Sequence, residues 1–178
     1  MAAAGSAYVA VGSNVEPEAN LPAALAELSA LATVTACSTF YRTEPLGPPG
    51  QPAFVNGVWE LAADRDPKTL RDQVLREVER RCGRVRGQNR YAPRTIDLDL
   101  VWQDGAAPQA GGAKLPSPDL ARPFVLLPLL ELRPDLAGRP PLARAVGSAE
   151  AVGQMQAGPP PGRPMPELTR QLKEMLKR

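Results

Sequence analysis

The sequence predicts an α+β fold: a ferredoxin-like βαββαβ sandwich with extra short helices and a Pro-rich C-terminal extension. Three observations predict it. Apolar runs with the two-residue period of strands occupy Tyr8–Gly12, Val34–Thr43, Phe54–Leu61 and Ile96–Trp102. Stripes with the period of helices run through Leu21, Leu25, Leu28 and Leu31 and through Leu70, Val74, Val78 and Cys82, with Leu75 beside the second. The order along the chain is β-α-β-β-α-β, then a short helix. Right-handed crossovers close that order into one mixed sheet with helices on one face. The uncovered face and its edge loops are then the place for a site.

The first strand ends in the turn Gly12-Ser13-Asn14, whose backbone groups can meet a ligand, though three such residues by themselves mark only a turn. Asn20-Leu21-Pro22 opens the first helix, where proline is tolerated. Thr43 to Pro52 is a rigid loop, because its four prolines fix φ; a loop this stiff can pre-form a binding wall. On the next strand Phe54, Asn56 and Val58 point one way and Val55, Trp59 and Leu61 the other. An aromatic ring and an amide two residues apart can stack on a flat heterocycle and read its hydrogen-bonding edge. The plainer reading is a core phenylalanine beside an asparagine that fixes a turn.

Asp66-Pro67 is an N-cap followed by proline at the first helical position, opening a helix to about Cys82. A polar loop follows the last strand to about Ala113. Phe124 to Leu132 reads as a short helix with Pro123 or Pro128 in its first turn. Beyond Leu136 the composition turns to Ala, Gly and Pro, and Gly158-Pro159-Pro160-Pro161-Gly162 reads as a semi-extended linker. Pro166 to Lys177 reads as an amphipathic helix with Leu168, Leu172 and Met175 on one face, able to dock on the body or on a second subunit.

With 178 residues, 43% of them hydrophobic, the chain supports one core. Residues 1–136 form the domain, and 137–178 an extension that is not an independent domain. The net charge of +2 demands neither nucleic acid nor a membrane surface as partner. No apolar run approaches the roughly 20 residues of a membrane span. Met1-Ala2-Ala3-Ala4 lacks the charged start of a leader, so a cytoplasmic protein is expected. Cys37 and Cys82 lack metal or redox spacing and are expected to be reduced thiols. Histidine is absent. That excludes Ser-His nucleophiles, His-metal ligation and an imidazole base, and leaves catalysis to carboxylates, arginines and metal.

The chemistry concentrates between Arg80 and Trp102. From Arg80 to Arg94 there are six arginines and no acid, in a chain where 17 of 21 basic residues are arginine. Then Asp97 and Asp99 share one face of a strand whose other face carries Ile96, Leu98 and Leu100. Two carboxylates roughly 7 Å apart at the backbone raise each other's pKa unless a cation sits between them. Few, hard oxygen ligands suit Mg²⁺, which leaves its remaining positions to water and phosphates. Guanidinium forks match phosphate oxygens. Together these features point to Mg²⁺ with a nucleoside triphosphate; taken singly, each is more often a solvated loop or an edge strand.

Several blocks, in order, resemble the 6-hydroxymethyl-7,8-dihydropterin pyrophosphokinases of folate biosynthesis. They are Val11-Gly12-Ser13-Asn14; Tyr41-Arg42-Thr43-Glu44-Pro45-Leu46-Gly47; Gln51-Pro52 with Phe54 and Asn56; Gly83-Arg84-Val85-Arg86; and Arg90-Tyr91 with Pro93-Arg94-Thr95-Ile96-Asp97-Leu98-Asp99-Leu100. The likeness runs from about Tyr8 to Pro134. It implies a ferredoxin-like fold and transfer of pyrophosphate from ATP to the hydroxymethyl oxygen of a reduced pterin, releasing AMP. By position, Asp97 and Asp99 would hold two Mg²⁺ ions, and Arg84 and Arg94 would steady the transferring group. Glu79, Arg86, Arg90, Tyr91, Lys114, Ser117 and Arg122 would serve ATP. Thr43, Glu44, Leu46, Phe54, Asn56 and Phe124 would form the pterin pocket.

The chain departs from the family pattern at Pro116-Ser117-Pro118, where a phosphate-contacting histidine is usual; the segment to Arg122 is one residue short, and Tyr91 stands where many members carry tryptophan. A lost charge-assisted contact costs roughly 1.5–3 kcal/mol. Two alternatives therefore stand beside the active enzyme: a member that binds pterin and ATP but turns over weakly, and a ferredoxin-like RNA-binding module. The expected partners are ATP and the reduced pterin, with no nucleic acid or membrane, in a monomer or in a dimer formed through the extension.

Overall fold

A computed structural model describes residues 5–85, 87, 89, 92–108, 112 and 114–177. One sheet organises them. The strand β1 (Ser6–Ser13) lies at its centre, flanked by β4 (Phe54–Ala62) on one side and β5 (Asp97–Gln103) on the other. Beyond β4 lie β2 (Val34–Cys37) and β3 (Tyr41–Thr43), both paired to it, and β6 (Arg163–Pro164) pairs with β3. Every pairing among the described residues is antiparallel, so the mixed sheet expected from the element order is corrected. The reason is topological. Strands β1 and β2, joined by a helical crossover, run parallel but have β4 between them, and the parallel pair β4 and β5 has β1 between them.

The single strand expected over 34–43 is broken at 38–40, and every backbone group at the break finds a partner, as buried main chain requires. The Ser38 N–H donates to the Val58 carbonyl (2.9 Å) and its Oγ accepts from the Val58 N–H (2.8 Å). The Thr39 N–H donates to the Glu131 carboxylate (3.0 Å). The Phe40 N–H donates to Thr169 Oγ1 (3.0 Å), and its carbonyl accepts from the Met165 N–H (2.8 Å).

The first helix, α1 (Pro17–Leu31), starts three residues earlier than the sequence suggests, because Pro17 takes the first helical position and Pro22 falls inside. The second rod is continuous over 67–81: α2 (Pro67–Thr69), a π-helical stretch (Leu70–Leu75) and α3 (Arg76–Arg81). Asp66 caps it through the N–H groups of Lys68 and Thr69, both at 3.0 Å. Later come α4 (Pro123–Leu132), α5 (Pro140–Val146), α6 (Ala149–Ala157) and α7 (Pro166–Met175).

Helices cover both faces of the sheet, not one. On one face α1, the second rod and α7 pack on Val9, Val11, Trp59, Leu61, Leu98 and Leu100. There Leu168 and Leu172 of α7 are buried in this chain's own core. On the other face α4, α5 and α6 pack on Tyr8, Val58, Val101 and Trp102. The Ala- and Gly-rich stretch beyond Leu136 is therefore helical over α5 and α6, while 158–162, expected as a semi-extended linker, is non-helical. Leu142 and Val152 each bury an apolar anchor, and Ser148 caps α6 through the Ala151 N–H (3.0 Å). The second layer reaches only the Tyr8 end of its face. The end bearing Gly12, Asn56 and Asp97 stays open.

Packing leaves no room for a side chain at Gly57 of β4. A Cβ there would sit 2.6 Å from the ring of Phe40, which is itself fully buried with its ring centroid 6.2 Å from that of Trp59. Gly57→Ala is expected to destabilise the protein by about 1–3 kcal/mol, read as a lower urea midpoint at constant m value. An alanine variant as stable as the parent would contradict it.

Candidate active site

Strand register builds the open end of the face. Asn56 of β4 pairs with Gly12 of β1, and Gly12 pairs with Asp97 of β5. One row deeper, Val58 pairs with Ala10 and Ala10 with Asp99. Side chains two apart share a face, so the amide and the two carboxylates rise from the same surface with only Gly12 and Ala10 between them. The middle strand thus provides a low floor. Its glycine is required by contact, since a Cβ on Gly12 would lie 2.7 Å from Asn56 Oδ1.

A cavity of about 310 Å³ opens over this floor, a size at the lower end of small-molecule sites. Thr43, Glu44, Leu46, Phe54, Asn56 and Phe124 line it together with Arg94, Arg122, Asp97 and Asp99. Asn56 Nδ2 donates to Thr43 Oγ1 (2.7 Å), which fixes the orientation of the amide. Leu46 is largely exposed at the rim. All six residues predicted for the heterocycle therefore meet at one cavity, with both predicted acids and two of the predicted arginines.

The acids differ in their surroundings. Asp97 is gripped by two guanidinium groups: Arg84 reaches its Oδ1 and Arg94 its Oδ2. Arg84 also reaches Glu79, a buried carboxylate at the end of α3 whose Oε1 accepts the Leu98 N–H (2.9 Å). Glu79 lies behind Arg84 and outside the cavity lining, and ties the arginine loop to β5. Arg94 is braced from β1, because Asn14 Oδ1 accepts the Arg94 N–H (2.7 Å) while the Asn14 N–H donates to the Arg94 carbonyl (3.1 Å). The Gly-Ser-Asn turn thus braces the arginine loop through Asn14 and lines the cavity through Gly12.

Among the described residues no guanidinium group donates a hydrogen bond to Asp99, and Arg71 attracts it only through space. Ser117 Oγ reaches its Oδ2 only at 3.5 Å. Burial, then the nearby carboxylates of Asp119 and Asp97, push Asp99 up to about 6. Ser117 is buried; its Oγ accepts the Asp119 N–H (3.2 Å) and caps the 3₁₀ turn Pro118–Ala121. Arg122 pairs with Asp119 (3.0 Å) and its guanidinium carbon lies 6.0 Å from the centroid of the Phe124 ring. Lys114 is exposed and outside the cavity lining. Arg86, Arg90 and Tyr91 lie outside the described residues.

Sequence reasoning missed Asp119, Gln51 and Ala10 as lining residues and Asn14 as a brace. Asp119 gave no signal, since it reaches the cavity through the turn that Ser117 caps. Ala10 was legible in principle, lying two residues before Gly12 on one strand face. Among the described residues no group of three or more Asp, Glu, Cys or His side chains is placed to hold a metal. Two carboxylates with open space beside them suit an ion that takes most of its ligands from water and phosphate.

Comparison with known proteins agrees with this geometry. Residues 8–134 match the sequence profile of the 7,8-dihydro-6-hydroxymethylpterin-pyrophosphokinase family. Three relatives carry the name 2-amino-4-hydroxy-6-hydroxymethyldihydropteridine pyrophosphokinase. The one from Pseudomonas aeruginosa is 42% identical over 133 residues, 72% of this chain and 81% of its own. That from Synechocystis is 39% identical over 133 residues, 72% of this chain and 67% of its own. That from Haemophilus influenzae is 38% identical over 135 residues, 74% of this chain and 83% of its own.

Asp99 carries a pH signature. Its folded pKa stands above that of an unfolded aspartate, so its contribution to stability is full below about pH 4 and is lost as pH rises through about 6. Asp99→Asn is therefore expected to stabilise the metal-free protein by about 2 kcal/mol at pH 8, with no gain at pH 4. Urea titrations at the two pH values check this; an equal gain at both would remove the electrostatic account.

Proposed function

Because the chain belongs to the 7,8-dihydro-6-hydroxymethylpterin-pyrophosphokinase family, we infer that it transfers pyrophosphate from ATP to hydroxymethyldihydropterin in folate synthesis. The observation that carries the assignment to this cavity is the pairing across three strands of Asn56, Gly12 and Asp97. It sets an amide, with the donor and acceptor that reading a heterocycle needs, and a pair of acids on one floor. The new bond joins the pterin hydroxymethyl oxygen to the β-phosphorus of ATP; the bond broken is that from the β-phosphorus to the oxygen of the α-phosphate, and AMP departs.

In this reading Phe54 and Phe124 face the two sides of the pterin ring, and Asn56, held by Thr43, reads its edge. Glu44 and Leu46 close the rim. Arg94 and Arg84 carry the charge of the transferring group, held in place by Asn14 and Glu79 respectively. Arg122 leaves Asp119 for a phosphate, and Arg86, Arg90, Tyr91, Lys114 and Ser117 complete the ATP side. Asp97 and Asp99 would hold two Mg²⁺ ions, which supply charge neutralisation and in-line alignment of a triphosphate. Each Asp97 oxygen keeps a second lone-pair direction beside its guanidinium partner.

The chemistry of the site also bears on the alternatives. An RNA-binding module would place Asp97 and Asp99 against a phosphate backbone. The weak-turnover alternative rests on Ser117, which here caps a turn and approaches Asp99. The proposal extends to a cytoplasmic monomer with every ligand-contacting residue within 1–136; Leu168 and Leu172 of α7 are buried in this chain's own core. No helix among the described residues is long and apolar enough to cross a membrane.

With Mg²⁺, ATP and the pterin alcohol, AMP is expected to appear in step with pterin diphosphate, and chelation of the metal should stop both. Asp97→Ala and Asp99→Ala should each lower kcat by about a thousandfold, with Asp99→Ala folded at least as stably as the parent. Formation of ADP, or full activity in either variant, would sink the assignment.

A further inference from the structure

The C-terminal segment meets the pocket from behind. Arg163 pairs with Arg42 and Pro164 with Tyr41, so β6 lies along β3 right up to Thr43. The approach is close enough to need glycine, because a Cβ on Gly162 would lie 2.3 Å from the Arg42 carbonyl oxygen and 3.1 Å from Thr43 Cγ2. Further along, the Met165 N–H donates to the Phe40 carbonyl, and Thr169 Oγ1 accepts the Phe40 N–H. Thr169 is buried, and its hydroxyl is the acceptor that a broken strand would otherwise lack. Phe40 in turn packs its ring against Gly57, next to Asn56 on β4.

We propose that Gly162 and Thr169 are positioning residues for the pterin wall: the tail presses on Phe40 and Thr43 and so fixes the Thr43–Asn56 pair that reads the heterocycle. This rests on the pterin reading above. Among the described residues β6 and α7 make no hydrogen bond or ion pair to Asp97, Asp99, Arg84 or Arg122, so the effect falls on the pterin side. Displacement of Thr43 moves the acceptor of the Asn56 amide and leaves the Asp97 and Asp99 side of the floor, set by β1 and β5, as it was.

The test uses the full chain. Thr169→Val keeps the side-chain shape and removes the acceptor, Thr169→Ser keeps the acceptor, and Gly162→Ala forces β6 away from Arg42. The KM for pterin is expected to rise about tenfold in Thr169→Val and Gly162→Ala, with the KM for ATP and kcat within about twofold of the parent. Thr169→Ser should restore the pterin KM. Calorimetric binding of the pterin by the folded variants should show the same split. Equal changes for both substrates, or loss of thermal stability with an unchanged pterin KM, would overturn the proposal. Failure of the pterin reading looks different: the parent itself then binds no pterin, and this inference falls with it.

Discussion

The register of β5, β1 and β4 is the constraint on which the rest depends. Asn56, Gly12 and Asp97 come from three distant parts of the chain and stand in one row only because each strand pairs in one frame. A slip of one residue would turn the amide and the acids into the core and bring Val55 and Leu98 out. The frame is held by the apolar alternation on the opposite face, where Val9, Val11, Trp59, Leu98 and Leu100 are buried. Core packing and site geometry are therefore two sides of the same strands, and neither can drift without the other. The small residues of β1 follow from this, because the central strand lies between two sets of functional side chains and must rise above neither.

Charge is divided unevenly across the floor. Asp97 is fixed by Arg84 and Arg94, whereas Asp99 stands among acids and holds its proton more tightly than a free aspartate. One carboxylate is thus a rigid anchor, and the other is under electrostatic tension that a divalent cation would relieve. The supporting contacts obey the same logic. Glu79 is buried, yet it has the Leu98 N–H and Arg84 to satisfy it, and so it can hold a guanidinium in place without loose charge of its own. Asn14 does for the main chain of Arg94 what Glu79 does for the side chain of Arg84.

Most of the sheet and the core of the site were legible in the chain. Period-2 patterning located the four main strands, and the alternation at Ile96 to Leu100 put both acids on one face before any fold was known. Phe54 and Asn56, which line the cavity, were legible as an aromatic ring and an amide two apart on a strand. Three features were not. The break at Ser38 to Phe40 depends on Glu131 and Thr169, about 90 and 130 positions away, and local patterning carries no trace of such partners. The helices α5 and α6 each have a single fully buried apolar anchor, Leu142 and Val152, in an Ala- and Gly-rich setting, and so show no stripe to read. Asp119 reaches the cavity through a 3₁₀ turn whose shape rests on the Ser117 cap. In each case tertiary contact, not propensity, decides the structure.

The short strand β6 also changes what the sheet offers to its surroundings. Without it, β3 would end the sheet with unpaired N–H and C=O groups. With it, the outermost positions are Arg163 and Pro164, both exposed. A guanidinium repels its own kind, and proline has no N–H with which to extend a ladder. At this border the sheet offers a neighbour's strand few groups with which to extend the ladder.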